Sequence, residues 1–167
     1  DAASDGDEII VAPGTYTGSG DQVVDMMGKA VWLHGSDGQE VTIIDGEGAR
    51  RGIYCHNSET SNTIIDGFTI TNGYTVGSGG GMYNLNSSPT VTDCTFTNND
   101  VTGSGGGMGN WNYSSPTLDR CTFTGNTAGD FGGGMYNYYN SSPTLTDCVF
   151  TGNSAENGGG MYNDDSS

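Results

Sequence analysis

The sequence predicts an all-β solenoid, a parallel β-helix of about six coils with roughly 27 residues in each. Two observations carry this prediction: a motif that recurs at a fixed spacing, and apolar residues that alternate inside each repeat. The methionine of the segment GGGM recurs every 26 or 27 residues, at Met82, Met108, Met135 and Met161. A fixed period of about 20–50 residues is typical of solenoids, whose units stack on one another.

The alternation appears within each repeat. In TLTDCVFT, the apolar residues Leu145, Cys148 and Phe150 are separated by Thr and Asp. A period of two is typical of a β-strand, and this one bends between Asp147 and Cys148. Segments rich in Gly, Asn and Ser separate the strands, as expected for turns. Each repeat is therefore one coil, stacked about 4.8 Å from the next.

We expect a single domain over residues 1–167. Residues 1–62 form irregular N-terminal coils, and residues 63–167 form the regular ones. In TIIDGFTITNG, Phe68 takes the place of the repeated cysteine and Ile70 that of the repeated phenylalanine.

The repeated motifs resemble those of known proteins. FTNN and two copies of FTGN, each followed by GGGM, are similar to the FxxN and GGx(I/L/V/M) repeats of polymorphic outer-membrane proteins. DEIIVAPGTYTG resembles the first coil of pectin-lyase-like β-helices. The resemblance implies a right-handed helix and a secreted or cell-surface protein with an adhesive or structural role. Some relatives of the wider fold are polysaccharide lyases and hydrolases.

The composition restricts the class of partner. The chain has 4 Lys+Arg against 20 Asp+Glu, a net charge of −16. Such a surface repels nucleic acid and anionic membranes, so we expect neither as a partner. No run of 18 apolar residues is present, and we expect no membrane insertion. The expected location is extracellular or at the cell surface.

Repeated positions become columns of stacked residues in such a fold. We expect the methionines to line the core together with two further columns, Cys94, Cys121 and Cys148, and Phe96, Phe123 and Phe150. Parallel stacked cysteines suit disulfide geometry poorly, and no histidine column joins them to make a zinc site. We expect free thiols and no metal. The turn residues Asn99, Asn126 and Asn153 are predicted to hydrogen-bond along the axis.

One column carries charge. Asp93, Arg120 and Asp147 each lie three residues before a repeated phenylalanine. Arg120 is expected to lie between the two carboxylates, where it relieves their repulsion in a structural role.

An aromatic stripe is the first candidate contact surface. It is expected on the outward side of the strands that contain the repeated methionines, at Tyr54, Tyr83, Trp111, Tyr136, Tyr138 and Tyr162. Three interpretations stay open: stacking on sugar rings, a protein–protein contact rich in Tyr and Trp, or tyrosines that strands favour and half-bury.

A threonine array is the second candidate surface. It comprises Thr69, Thr71, Thr95, Thr97, Thr122, Thr124 and Thr151, and Val149 interrupts it. Such TxT arrays resemble those of ice-binding proteins, but threonine is also a favourable outward residue in any strand.

The sequence argues against an enzyme. β-Helix enzymes that act on uronates combine clustered carboxylates with Lys or Arg, and the only such cations here are Lys29, Arg50, Arg51 and Arg120. No cofactor is expected; the Asp45–Glu47 turn offers Ca²⁺ oxygen ligands but lacks EF-hand spacing.

The segments at Asn86, Asn112 and Asn140 match the N-glycosylation motif.

These observations predict a non-catalytic, extracellular, structural or adhesive β-helix. Neither DAASDGDEII nor DDSS resembles the caps that solenoids carry. We therefore expect the coils to continue, in a longer chain or by end-to-end self-association into a filament. The alternative is a carbohydrate-binding module that uses the aromatic stripe. Ice binding through the threonines and polysaccharide cleavage rank below both.

Overall fold

The computed structural model describes residues 3–164 and shows a parallel β-solenoid of six coils. Within these residues every regular element is a β-strand. The predicted fold class is confirmed. Each coil contributes one strand to each of three six-stranded parallel sheets, and a fourth, three-stranded sheet widens the middle coils. Strands are numbered β1 to β21 along the chain, and coils one to six in the same direction.

The first sheet contains β1 (Glu8–Val11), β4 (Trp32–Gly35), β7 (Ile64–Asp66), β11 (Thr90–Thr92), β15 (Thr117–Asp119) and β19 (Thr144–Thr146). The second contains β2 (Gly14–Tyr16), β5 (Thr42–Asp45), β8 (Thr69–Thr71), β12 (Thr95–Thr97), β16 (Thr122–Thr124) and β20 (Val149–Thr151).

The third sheet contains β3 (Gln22–Asp25), β6 (Arg51–Cys55), β10 (Met82–Leu85), β14 (Met108–Trp111), β18 (Met135–Tyr138) and β21 (Met161–Asp164). The fourth contains β9 (Tyr74–Thr75), β13 (Asp100–Val101) and β17 (Thr127–Ala128).

The strand register follows the motif alignment. Ile70 pairs with Phe96, as the sequence predicts, and Ile53 pairs with Met82. The repeated phenylalanines stack with nearly parallel rings, at centroid distances of 4.7 Å between Phe96 and Phe123 and 4.6 Å between Phe123 and Phe150. Identical residues in successive coils therefore fill one continuous core.

The triple glycine of each repeat marks a close approach between coils. A Cβ on Gly107 would lie 2.5 Å from the carbonyl oxygen of Gly134 and 2.8 Å from Phe123 Cδ1. The same clash, at 2.5 Å, would occur between Gly81 and the Gly107 oxygen. Only glycine lets the backbones of adjacent coils pack so closely at this position.

Within residues 3–164, no helix is long and apolar enough to cross a membrane.

Candidate functional site

The predicted aromatic stripe lies on the outward face of the third sheet. One column runs through Tyr54, Tyr83, Gly109, Tyr136 and Tyr162, which occupy equivalent positions in coils two to six. A neighbouring column contains Trp111, beside Tyr138 of the next coil. Because side chains alternate across a strand, these rings share one face while the methionines of the same strands point into the core.

Arg51 holds the first two rings of the stripe. Its guanidinium carbon lies 4.9 Å from the ring centres of both Tyr54 and Tyr83, which stack at 5.6 Å with an interplanar angle of 15°. Arg51 Nε also donates to the carbonyl oxygen of Gly79 at 2.8 Å. Burial lowers the pKa of Arg51, and burial raises the pKa of Tyr83 to about 12. The group is a packed cation–π cluster in which the Tyr83 phenol keeps its proton at neutral pH.

Trp111 lies between Tyr83 and Tyr136, the two tyrosines that flank Gly109 in the column. Its ring centre lies 6.4 Å from that of Tyr83, 5.9 Å from that of Tyr136 and 4.5 Å from that of Tyr138. Trp111 Nε1 is buried without a hydrogen-bond partner. The indole therefore contacts tyrosine rings on both sides of the Gly109 position.

The stripe is packed largely against itself. Tyr136 is only 4% exposed, and its ring contacts those of Phe131 at 5.9 Å and Tyr162 at 6.1 Å. Sugars bind aromatic residues through open ring faces, whereas much of the ring surface here is covered by neighbouring rings. The most exposed aromatic pair, Tyr113 at 60% and Tyr139 at 44%, lies beside the stripe in the adjoining turns.

The predicted asparagine column forms a hydrogen-bonded ladder. Asn99 Nδ2 donates to Asn126 Oδ1, and Asn126 Nδ2 donates to Asn153 Oδ1, both at 2.9 Å. The backbone N–H of Asn99 donates to the same Asn126 oxygen at 3.1 Å. Each amide also reaches back, as in the 2.9 Å bond from Asn126 Nδ2 to the carbonyl oxygen of Phe96. The ladder thus satisfies buried backbone groups at each turn.

A second asparagine ladder was not predicted. It lies inside the third sheet, two residues after each repeated methionine, and links Asn84, Asn110, Asn137 and Asn163 through bonds of 2.7–2.8 Å. The recurrent MYN and MGN segments carry the signal that would have revealed it. Cys55 occupies the same column below Asn84, and the buried Oδ1 of Asn84 has no partner. The ladder therefore ends where the irregular coils begin.

A serine ladder ends on a buried carboxylate. Ser114 N donates to Ser141 Oγ at 3.1 Å, and Ser87 N donates to Ser114 Oγ at 3.0 Å. Ser87 Oγ then donates to Glu59 Oε2 at 2.7 Å, and the backbone N–H of Gly28 donates to Glu59 Oε1 at 2.8 Å. Glu59 is 3% exposed. This charge stays buried because N–H and O–H donors surround it, and no motif in the sequence identified it.

The charge column is asymmetric. Arg120 Nε donates to Asp93 Oδ1 at 2.8 Å and its Nη2 to Asp93 Oδ2 at 2.6 Å, while Nη1 contacts Asp119 of the same coil. The Arg120 hydrogen bond lowers the pKa of Asp93. Asp147 makes no ion pair within residues 3–164. Arg120 therefore bonds to one neighbouring coil instead of bridging two. All three column residues have positive φ angles, of 48–51°.

The threonine array is partly covered by a loop. Thr69 Oγ1 donates to the backbone oxygen of Gln39 at 2.7 Å, and Thr95 Oγ1 donates to Gln39 Oε1 at 2.8 Å. Gln39 thus lies over two successive coils of the second sheet. Flat ice-binding arrays require open hydroxyls, and this contact occupies those of Thr69 and Thr95.

The four cysteines are free thiols. Burial raises the pKa of Cys55, Cys94 and Cys121, the last to about 12. Cys148 lies in the last coil and is only partly buried. The inward column therefore behaves as a row of small apolar groups, as the sequence predicts.

The Asp45–Glu47 turn and the three sequon asparagines lie in local turns of the structure. Asp45 Oδ1 accepts hydrogen bonds from Asn72 Nδ2 and from the Glu47 backbone, at 3.0 and 2.8 Å. No set of three or more His, Cys, Asp or Glu side chains within residues 3–164 could hold a metal ion. The three sequon asparagines all lie in left-handed turns, with φ of 52–56°, at Asn86, Asn112 and Asn140.

The comparison with protein families agrees with the fold. The family model described as right handed beta helix region matches residues 9–167. The chain belongs to this right-handed β-helix family. No curated protein and no solved structure matches it. The match therefore gives the handedness of the solenoid, and the arguments on function rest on the geometry of this chain.

Proposed function

We propose that this right-handed β-helix is a non-catalytic structural rod, a segment or subunit of an extracellular or cell-surface fibre. Its coils add end to end by stacking. The observation that carries the proposal is the edge of coil six that faces away from coil five, which pairs with no further strand within residues 3–164. The resemblance of its repeats to those of polymorphic outer-membrane proteins, which include surface adhesins, supports the same role.

Coil six presents a template for another coil. Thr144 N donates to the Pro116 oxygen, and the Thr146 oxygen accepts from Arg120, so both residues bond to coil five. Alternate residues of a parallel strand direct their backbone groups to opposite neighbours, so Leu145 directs its N–H and C=O away from coil five. The side chains of Leu145, Phe150 and Met161 are only partly buried. A further coil would cover them and pair this edge.

The first coil presents the opposite edge. β1, β2 and β3 are the outermost strands at that end of the three long sheets. Their inward residues Ile9, Val11 and Val24 are partly buried, and they line two small cavities at that end. Within the described residues, both ends therefore offer apolar side chains and strand edges that pair with no further strand. Asp1, Ala2 and Asp165 to Ser167, which the sequence placed in the junction, lie outside the described residues.

Electron microscopy and sedimentation across a concentration series test the proposal. We expect thin unbranched filaments, or at least end-to-end oligomers, whose mass grows with concentration. Leu145→Lys places a charge in the cross-section that the next coil would bury, and should abolish growth. Thr146→Lys is the matched control, because its side chain points outward from the same strand, and it should assemble normally. Monomers at all concentrations would overturn end-to-end assembly of separate copies, and equal assembly of both variants would exclude this edge.

Glycan binding is the second candidate function. The continuous aromatic face from Tyr54 to Tyr162 favours it, although the rings cover much of one another's surface. Retention on immobilised polysaccharides, lost in Trp111→Ala and kept in Trp32→Ala on the first sheet, would support it. If the wild type and both variants elute without retention in buffer alone, glycan binding is excluded for the polysaccharides used.

A further inference from the structure

We propose that Tyr113 and Tyr139 form an oxidative cross-linking site, at which a peroxidase and hydrogen peroxide join coils four and five by a dityrosine bond. The two side chains form a T-shaped pair with ring centres 5.2 Å apart and an interplanar angle of 78°. The inference does not depend on end-to-end assembly.

An extra residue in two coils produces this pair. A single residue, Asn86, separates Leu85 from Ser87 in coil three, whereas two residues separate Trp111 from Ser114 and Tyr138 from Ser141. The longer turns carry Tyr113 and Tyr139 outward, in left-handed conformations with φ of 61° and 52°.

The backbone holds the two turns together. Tyr113 N donates to the carbonyl oxygen of Tyr139 at 3.0 Å. The phenols are therefore neighbours in every copy of the folded protein, which gives them a high effective concentration for a reaction with each other.

Exposure distinguishes this pair from the tyrosines of the aromatic stripe. Tyr113 is 60% and Tyr139 is 44% exposed, so an oxidising enzyme can reach both. Tyr54 and Tyr83 instead stack at 15° against Arg51, and Tyr136 is 4% exposed. A dityrosine bond joins the ring carbons next to the two phenol oxygens, so the ring edges must meet. Exposed side chains can rotate into that geometry, whereas stacked rings present their faces.

The chemistry balances with one molecule of hydrogen peroxide. The peroxidase removes one electron and one proton from each phenol, and the peroxide is reduced to two molecules of water. The two phenoxyl radicals then form a carbon–carbon bond between their ortho positions. The hydrogens on those carbons move to the oxygens, which restores both phenols. The protein loses two hydrogen atoms in total.

The product would reinforce the solenoid. The bond closes the chain between residues 113 and 139 into a loop and thereby restricts the unfolded state, as a disulfide does. It also ties two coils that are otherwise held by hydrogen bonds and packing. A rod that carries axial load would resist separation of these coils.

Arg120 provides a direct test, because it is the only Lys or Arg between Arg51 and the end of the chain. Dilute protein is treated with peroxidase and hydrogen peroxide, unfolded, reduced and digested with trypsin. We expect fragments 52–120 and 121–167 to remain joined, with the mass of the pair less two hydrogens. Tyr113→Phe and Tyr139→Phe should release the fragments. Tyr83→Phe, which alters a stacked tyrosine of the first fragment, should leave them joined.

The other outcomes overturn the proposal. Fragments that separate in the wild type would show that the pair does not react. Fragments still joined in Tyr113→Phe would assign the bond to other residues. Cross-links found only between copies would show that the folded geometry does not direct the coupling. Each variant keeps the aromatic ring, and its thermal unfolding midpoint in the absence of oxidant checks that the fold is intact.

Discussion

Asn126 Oδ1 accepts two hydrogen bonds from Asn99, one from Nδ2 at 2.9 Å and one from the backbone N–H at 3.1 Å. Both groups are buried. One side-chain oxygen thus satisfies two donors of the preceding coil, so the turn of one coil depends on the residue in the next.

Replacing Asn126 by alanine should therefore be strongly destabilising. The change leaves two buried donors of Asn99 and the buried Phe96 oxygen without this partner. Buried groups left unpaired cost about 1–3 kcal/mol each, so the two Asn99 donors alone give an expected loss of about 2–6 kcal/mol in the free energy of unfolding. Chemical denaturation measures it. Asn157→Ala, at an exposed residue outside the ladder, is the control, and similar losses in both variants would contradict the ladder's importance.

Gly107→Ala tests the close approach between coils. The new methyl group would lie 2.5 Å from the Gly134 carbonyl oxygen, which is backbone and has little room to move. We expect a loss of about 3 kcal/mol or more in the free energy of unfolding. Gly20→Ala is the control, since its nearest neighbour would be a carbonyl oxygen at 3.9 Å. A thermal midpoint of Gly107→Ala equal to that of Gly20→Ala would show that the coils can separate at no cost.

The thiols should differ in reactivity. Cys55, Cys94 and Cys121 are buried with raised pKa values, so they are both protonated and inaccessible at pH 8. Cys148 is partly buried in the last coil. We expect one thiol to react with a disulfide reagent such as DTNB in the native protein, and all four after unfolding. Cys148→Ser should remove the fast reaction, and end-to-end assembly should slow it. Rapid reaction of several native thiols would contradict the stacked core.

Acid should weaken the bond between Asp93 and Arg120. The pKa of Asp93 is lowered in the folded protein, first by its hydrogen bond to Arg120, so the unfolded carboxyl binds protons more readily. This contribution to stability is present above the unfolded pKa of about 3.9 and is lost as the pH falls through the folded value. Asp93→Asn should flatten the acid limb of a stability–pH curve, and the difference should shrink at high salt.

Asp147→Asn is the matched control for this experiment. Asp147 occupies the same left-handed turn position, with φ of 50°, and forms no ion pair within the described residues. Asparagine tolerates this conformation, so only the charge changes. A similar acid limb in both variants would assign the pH dependence to other carboxyls.

The stacked columns of the core were predictable because the sequence motifs repeat with few changes. The phenylalanine, cysteine and methionine columns follow directly from the 26- to 27-residue period, as does the ladder at Asn99. The second ladder at Asn84 was equally visible as a repeated segment, but an inward asparagine looks like an ordinary polar strand residue until its stacked partners are known.

Other contacts could not be read from the period, because they join parts of the chain that do not repeat. Gln39 reaches Thr95 across 56 positions in sequence. Glu59 accepts the last hydrogen bond of the serine ladder, from Ser87 Oγ, although Glu59 lies in an irregular segment. Trp111 lies between the rings of Tyr83 and Tyr136, which flank Gly109 in the tyrosine column. Each depends on the path of a particular loop or the space left by a particular residue.

The sequence by itself determined the solenoid, its period and the identity of its main ladders, because a repeated residue in a stacked fold must meet its own copy in the next coil. Only the tertiary structure decided which partners the outward side chains contact. It paired Arg120 with Asp93 and not with Asp147, and placed Tyr113 beside Tyr139 at 5.2 Å. A side chain on an outward face has several possible partners, and distance and orientation decide which one it contacts. The repeat period of the sequence specifies neither.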